Sequence, residues 1–160
     1  MFKIIHIVAL LLLAPLAQAA TPAATVQVRE AWMRATPPHA PTAAGYLTLV
    51  NGGPADRLLS VTSEAAERVE LHSNDQQGGM MRMRRLDQGL ALPAAASTVL
   101  APSGTHLMFI APRKPLVAGD TVRATLRFLH AAPQVVEFKV MPLGATPAPS
   151  HHHDMPGMKM

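Results

Sequence analysis

Short runs of alternating apolar and polar residues recur along most of the chain. Seven of them stand out: VQVREAW, YLTLVN, RLLSVTS, RVELHS, HLMFI, TVRATLRFLH and VVEFKVM. Alternation with a period of two is typical of a strand that buries one face. In the third run, for example, it puts Leu59 and Val61 together on the face that packs against the core.

Turn-forming residues separate these runs. Clusters rich in Gly, Pro, Asn and Asp occur as NGGPAD at 51–56, QGGM at 77–80, APSG at 101–104 and VAGD at 117–120. No segment has the pattern of a long amphipathic helix. Seven or eight short strands joined by such turns predict an all-β domain, an antiparallel Greek-key sandwich or barrel.

The N-terminal segment has the features of an export signal. MFKIIHIVALLLLAPLAQAA begins with a basic residue, Lys3, continues as an apolar run to Leu16, and ends with Ala17 and Ala19 around Gln18. This pattern predicts a signal peptide over residues 1–19 and an exported, periplasmic protein. The apolar run is shorter than the ~20 residues that cross a bilayer, so no stable membrane insertion is expected after cleavage.

A single domain over residues 20–141 is predicted to follow the signal. The formal charge of the 160-residue chain is +4, and its basic residues are scattered, with Arg82–Arg85 as the main cluster. With aromatic residues at 4%, this composition does not favour nucleic-acid binding. The chain has no cysteine but ten methionines. Any soft-metal chemistry must therefore use thioethers instead of thiolates.

The C-terminal segment differs in composition from the strand region. Residues 142–150, PLGATPAPS, read as a Pro-rich linker, and residues 151–160, HHHDMPGMKM, as a disordered tail. The tail offers a second set of metal donors, in which imidazoles suit Cu(II) and thioethers suit Cu(I). These donors are His151, His152, His153, Met155, Met158 and Met160. The alternative is that the three histidines are the remnant of an expression tag.

Histidine and methionine also occur together inside the strand region. In HLMFI, His106 and Met108 are two residues apart, so their side chains point to the same face of a strand. Leu107 and Phe109 point to the other face. If those two apolar residues face the core, His106 and Met108 face outward or toward a rim.

A second group of such residues lies in VELHSNDQQGGMMRMRR. Strand parity there puts Met81 and Met83 on one side of the MMRMRR stretch. Two strands that each end near a glycine turn can bring four donors together, with Met80 or Met81 as alternatives to the first methionine. The four candidate ligands are His72, Met83, His106 and Met108.

Two imidazoles with two thioethers favour one metal ion. Thioether sulfur is a weak ligand for Zn²⁺ and a poor one for hard cations, whereas Cu(I) accepts both Met sulfur and imidazole. A blue-copper electron-transfer site would require a cysteine. The competing interpretation is that the methionines fill the core and the histidines are ordinary hydrogen-bonded residues.

These motifs resemble the periplasmic copper chaperones of the PCuAC family. The family signature is a His, ten residues, a Met, about twenty-one residues, then His-x-Met. Here His72 is followed by ten residues and Met83, and His106-Leu107-Met108 closes the motif after twenty-two residues. The extra residue is predicted to lie in the segment RRLDQGLALPAAAS, because a loop absorbs an insertion that would reverse the facing of side chains in a strand.

The resemblance implies a cupredoxin-like sandwich that binds Cu(I) and passes it to an apo copper protein, either the copper centre of cytochrome c oxidase or another chaperone. A copper scavenger without a dedicated acceptor is the closest alternative. An enzyme is not expected, because the sequence shows no nucleophile with its base, no recognisable carboxylate pair and no CxxC motif. A monomer is predicted, since no heptad pattern or long apolar edge is evident.

Overall fold

The computed structural model describes residues 26–145. The predicted signal peptide, the tail at 151–160 and residues 146–150 of the predicted linker lie outside this range. Residues 142–145, the first part of that linker, form a turn in which the Ala145 N–H donates to the Pro142 carbonyl at 2.9 Å. Within residues 26–145 there is no helix of sufficient length and apolarity to cross a membrane.

Ten strands make up this part of the chain. They are β1 (Val26–Arg34), β2 (Thr42–Asn51), β3 (Asp56–Thr62), β4 (Ala66–Gln77), β5 (Met80–Arg85), β6 (Leu90–Leu92), β7 (Ala96–Leu100), β8 (His106–Pro112), β9 (Thr121–Phe128) and β10 (Gln134–Met141). The all-β prediction is confirmed. The number of strands was underestimated, because β5, β6 and β7 lie in a stretch without sustained apolar alternation.

One hydrogen-bonded sheet connects the strands in the order β5-β4-β8-β2-β1-β10-β9-β3-β6, and β7 pairs with β2. Adjacent strands are antiparallel except for β1 and β10, which pair in parallel. The predicted antiparallel arrangement therefore has this one exception. A parallel pair requires a connection between distant parts of the chain, and here it brings the first and last described strands together.

The sheet curls around a single apolar core. Phe109 of β8 and Phe138 of β10 meet edge to face with ring centroids 5.9 Å apart. Three inter-strand steps separate these strands along the sheet, which would place them about 14 Å apart if the sheet were flat. The contact therefore runs across the interior. Gly45 makes room for it, because a Cβ at that position would lie 2.9 Å from the Phe109 ring.

Strand alternation predicts the facing of most core residues, but not in β3. There Leu58 is fully buried and Leu59 is exposed, so the expected pairing of Leu59 with Val61 on the core face is wrong. The pairing of β3 with β9 shifts register between Leu58 and Ser60. A β-bulge at this point adds one residue to the strand, which reverses the side on which the preceding leucines lie.

Candidate metal centre

Three neighbouring strands, β5, β4 and β8, carry the residues singled out by the sequence. His72 of β4 lies directly opposite His106 of β8, so their side chains share one face of the sheet. The adjacent pair, Leu71 with Leu107, faces the core. The two imidazole centroids are 6.0 Å apart. The histidines are 34 residues apart in the sequence but form a cross-strand pair on the outer side of the sheet.

The two predicted methionine ligands lie on the same face, on either side of the histidine pair. Met108 is two residues after His106 and opposite Glu70, which places it diagonally to His72. Met83 is opposite Asn74 and is the diagonal neighbour of His72 toward the β4–β5 turn. Diagonal neighbours lie within reach of long side chains. The structure therefore brings all four predicted ligand residues to one patch.

Register also separates the alternative methionines. Met81 shares the face of Met83, but its partner position on β4 is four residues beyond His72, about 13 Å along the strand. Met80 is on the opposite face. Met83 is therefore the methionine of β5 nearest to the histidines, although its side chain is 53% exposed. The exact position of the extra residue between Met83 and His106 stays a prediction.

His106 differs from the expectation in one respect. It was predicted to face outward or toward a rim, yet the residue is only 4% exposed. Its ring packs beside His72, and its Nδ1 lies 3.0 Å from the carbonyl oxygen of Gly104 in the preceding turn. Pairing with a neighbouring strand and a close turn thus bury a side chain that does not face the main core.

The hydrogen bonds of the two rings leave one nitrogen of each without a protein partner. A carbonyl oxygen only accepts, so the proton near Gly104 is on His106 Nδ1 and the Nε2 lone pair is available. In His72, Nε2 lies 2.9 Å from Glu70 Oε2. The other nitrogen, His72 Nδ1, is buried and has no hydrogen-bond partner. A buried nitrogen lone pair without a donor is a position that a metal ion would satisfy.

Asn51 and Asp56, two buried polar residues outside this patch, differ from His72 because their side chains are fully hydrogen-bonded. Asn51 Nδ2 donates to the carbonyls of Pro54, Leu92 and Pro93 at 2.7, 3.2 and 3.1 Å, and its Oδ1 accepts from Gly53 N–H at 3.0 Å. Asp56 accepts three backbone N–H bonds. Their hydrogen-bonding capacity is used in holding loops. Three buried side-chain atoms of the described residues have no hydrogen-bond partner: His72 Nδ1, Arg34 Nε and Ser73 Oγ. Of these, only His72 Nδ1 can offer a nitrogen lone pair, because the arginine nitrogen always carries a proton.

Glu70 is part of this patch, and sequence reasoning missed it. Its Oε1 accepts from Arg68 Nε at 2.9 Å and from Arg85 at 3.4 Å, while Oε2 bonds to His72. The hydrogen bond from Arg68, followed by that from His72, lowers the pKa of the Glu70 carboxyl to about 2. The signal was present in VELH, because a residue two positions before His72 shares its face of the strand.

The donor set of the patch is distinctive. Within residues 26–145, no group of three or more His, Asp or Glu side chains is arranged to hold a metal ion. Two imidazoles flanked by thioethers are a soft set that fits Cu(I) better than Zn²⁺ or a hard cation. A groove of about 760 Å³, lined by residues of β1 and β10, contains none of these four residues.

Comparison with known proteins identifies the family of this chain and similar folds. The chain matches the LpqE-like family model over residues 26–140. It is 35% identical over 103 residues to "Putative lipoprotein Lxx21020" of Leifsonia xyli subsp. xyli. That match covers 64% of this chain and 61% of the relative, so the chain spans about three fifths of the relative's length.

Several solved structures resemble this one. Among them, the copper-bound PCuAC domain from PmoF2 has a TM-score of 0.63 and 24% identity, covering 73% of this chain and 92% of that one; at this identity the likeness shows the fold. CuI-DR1885 from Deinococcus radiodurans has a TM-score of 0.57 and 28% identity, covering 78% and 81%. Because the family model spans β1 to β10, the chain belongs to the LpqE-like family, which is the PCuAC family.

Proposed function

We propose that this protein is an exported copper chaperone that binds Cu(I) through His72, Met83, His106 and Met108. One observation carries the proposal. Two cross-strand imidazoles each have one nitrogen engaged by the protein and the other without a partner. The two methionines lie on the same face, on either side of that pair. The metal is cargo, taken up and released by the domain.

Copper(I) fits this set for chemical reasons. Thioether sulfur and neutral imidazole are soft or borderline donors, and Cu(I) accepts them at low coordination number. The similarity to CuI-DR1885, at 28% identity, supports the same ion. No thiolate is needed, which suits a protein without cysteine that functions in an oxidising compartment.

The location of Met83 supports transfer of the metal to a partner. This residue lies on β5, at the end of the sheet order, and every residue of the strand is exposed. A partner's ligands can approach the ion from this side while the histidines still hold it. We propose delivery to an apo copper protein in the periplasm, either the copper centre of cytochrome c oxidase or another chaperone, by a monomeric carrier.

An anaerobic competitive Cu(I) titration tests the proposal. It compares three forms of the protein without residues 1–19: the intact chain, a truncation after Ser150, and the His106→Ala/Met108→Leu double variant. We expect the truncated domain to retain one tightly bound Cu(I). The double variant should bind at least about 100-fold more weakly at this site, because an imidazole and a thioether are both removed.

Binding that depends only on the C-terminal tail would refute the proposed site. His39→Ala is a matched control, since it removes an exposed histidine from the turn before β2 and leaves the patch intact. Transfer distinguishes a chaperone from a scavenger. A chaperone should load the soluble copper domain of a cytochrome c oxidase subunit, whereas a scavenger should retain its copper when that acceptor is added.

A further inference from the structure

We propose that Glu70 is a positioning residue that keeps the proton of His72 on Nε2 and so presents Nδ1 as the ligand nitrogen. The copper part of this inference rests on the proposed function, whereas the position of the proton is a property of the metal-free protein. The geometry that carries it is the 2.9 Å contact between His72 Nε2 and Glu70 Oε2, together with the buried, unpartnered Nδ1.

Hydrogen-bond chemistry selects this tautomer. An ionised carboxylate is only an acceptor, so the ring nitrogen that faces it must carry a proton. In the other tautomer, the lone pair of His72 Nε2 would face the Glu70 oxygen. The Nδ1–H would then be buried without an acceptor. Both consequences are unfavourable, since an unsatisfied buried donor loses its hydration without compensation.

The carboxylate of Glu70 is itself fixed in place. Arg68 on the same strand and Arg85 on β5 both donate to Oε1 at 2.9 and 3.4 Å, which leaves Oε2 for His72. The Glu70 and His72 side chains are 14% and 13% exposed, so solvent competes little for their contact. Two neighbouring arginines therefore orient the carboxylate, and the carboxylate orients the imidazole.

The second histidine is oriented by a different acceptor. His106 Nδ1 bonds to the Gly104 carbonyl, which assigns Nε2 as its free nitrogen. The pair would thus bind through Nδ1 of His72 and Nε2 of His106. A metal-binding histidine whose other nitrogen donates to a carboxylate is held in orientation and made more basic. Glu70 also supplies a negative charge beside a Cu⁺ ion whose proposed ligands are all neutral.

The experiment uses ¹⁵N-labelled protein and long-range ¹H–¹⁵N correlation spectra of the histidine rings. Spectra of the metal-free protein are recorded at about pH 8, where an ordinary imidazole is neutral. We expect His72 to show a protonated Nε2 and an unprotonated Nδ1 in the wild type. Glu70→Ala should mix the two tautomers and weaken Cu(I) binding about 10–100-fold.

Two further variants separate orientation from charge. Glu70→Gln keeps a carbonyl acceptor, so it should retain the Nε2–H tautomer and bind Cu(I) more tightly than Glu70→Ala. Glu67→Gln removes an exposed carboxylate that also pairs with Arg68, at 3.3 Å, but has no contact with His72. It should leave both the tautomer and the Cu(I) affinity unchanged.

Several results would overturn the role of Glu70. A wild-type His72 with its proton on Nδ1 does so without any variant, even if the variants fold poorly. Equal losses of affinity in Glu70→Ala and Glu70→Gln with unchanged tautomers would assign the effect to charge instead of orientation. Failure of the wild-type domain to bind Cu(I) would refute the proposed function, while the tautomer measured in the metal-free protein would stand independently.

Discussion

Replacing Phe109 with alanine should lower the free energy of unfolding by about 3–5 kcal/mol. The side chain is 1% exposed and packs edge to face on Phe138 across the interior. Truncation would leave a cavity bounded by that ring and by the backbone of Gly45, which approaches the aromatic ring closely. Neither the Phe138 ring nor the Gly45 backbone can easily move into this cavity, so the variant should not recover much of the lost stability. Urea denaturation followed by circular dichroism measures it.

Met108→Leu is the matched comparison one position earlier on the same strand. Its side chain lies on the outer face of the sheet, on the side of His106, and is only partly buried. Exchange of Met for Leu nearly conserves volume and should change stability by less than about 1.5 kcal/mol. It should nevertheless weaken Cu(I) binding, because the thioether is lost. The two substitutions therefore separate the core face of β8 from its proposed metal-binding face.

The reverse result would contradict this assignment. If Met108→Leu unfolds the domain, Met108 is a core residue. If Phe109→Ala costs less than about 1 kcal/mol, its ring is not packed as the structure shows, since truncation of a buried aromatic side chain costs several times more. Both variants should be measured in urea. Equal slopes of the free energy of unfolding against urea concentration would show that the unfolded state has not changed.

Strand alternation was sufficient to predict most of the fold. In β8, Leu107 and Phe109 are buried on the core side as expected, while Met108 faces the other way. The same rule succeeds because the side-chain period of a strand is two wherever the strand is regular. It fails at β3, where a bulge inserts one residue and buries Leu58 in place of Leu59. A bulge depends on the partner strand, which the local sequence does not specify.

Strands with little buried surface were also beyond local prediction. All six residues of β5 are exposed, so their apolar pattern carries no information on burial. They form a strand because they pair with β4 along the hairpin. β6, at the other end of the sheet order, has only three residues. Its Leu92 is buried, but three residues are too few for an alternating pattern to be recognised in the sequence.

The candidate site was predicted in part. Same-face placement of His106 and Met108 follows from their spacing, but the direct pairing of His72 with His106 depends on the register between β4 and β8. That register joins residues far apart in sequence. The family resemblance supplied what spacing left open, and the family model confirms the membership. The spacing in VELH places Glu70 on the face of His72, but only the structure shows its contacts with His72 and the two arginines.

Asp56→Asn should lower the free energy of unfolding by about 3 kcal/mol or more at neutral pH. Asp56 is buried, with 7% of the residue exposed. One carboxylate oxygen accepts from the backbone N–H groups of Arg57 and His130 at 2.7 and 3.0 Å, and the other from that of Ala131 at 2.9 Å. It thereby joins the start of β3 to the turn after β9. An asparagine amide must place its NH₂ against at least one of these donors.

The same contacts predict how this loss depends on pH. Burial alone would raise the pKa of the Asp56 carboxyl, but the three N–H donors outweigh burial and hold it below the ordinary value of 3.8. A pKa lowered by folding contributes stability that is present above the unfolded-state value and is lost as the pH falls through the folded-state value. The difference between wild type and Asp56→Asn should therefore be constant from pH 7 to about 5 and shrink below about 3.8.

Asp75→Asn is the control for the charge change itself. Asp75 is 45% exposed and pairs with Arg84 at 3.2 Å, so its substitution should cost less than about 1 kcal/mol at any pH. Equal, pH-independent effects of the two substitutions would mean that the Asp56 carboxylate is solvated and does not hold the turn. A large loss of stability that is confined to Asp56→Asn, and that disappears in acid, would mean that the ionised carboxylate accepts the backbone hydrogen bonds. That outcome would establish the Asp56 carboxylate as the group that holds the turn after β9 against the start of β3.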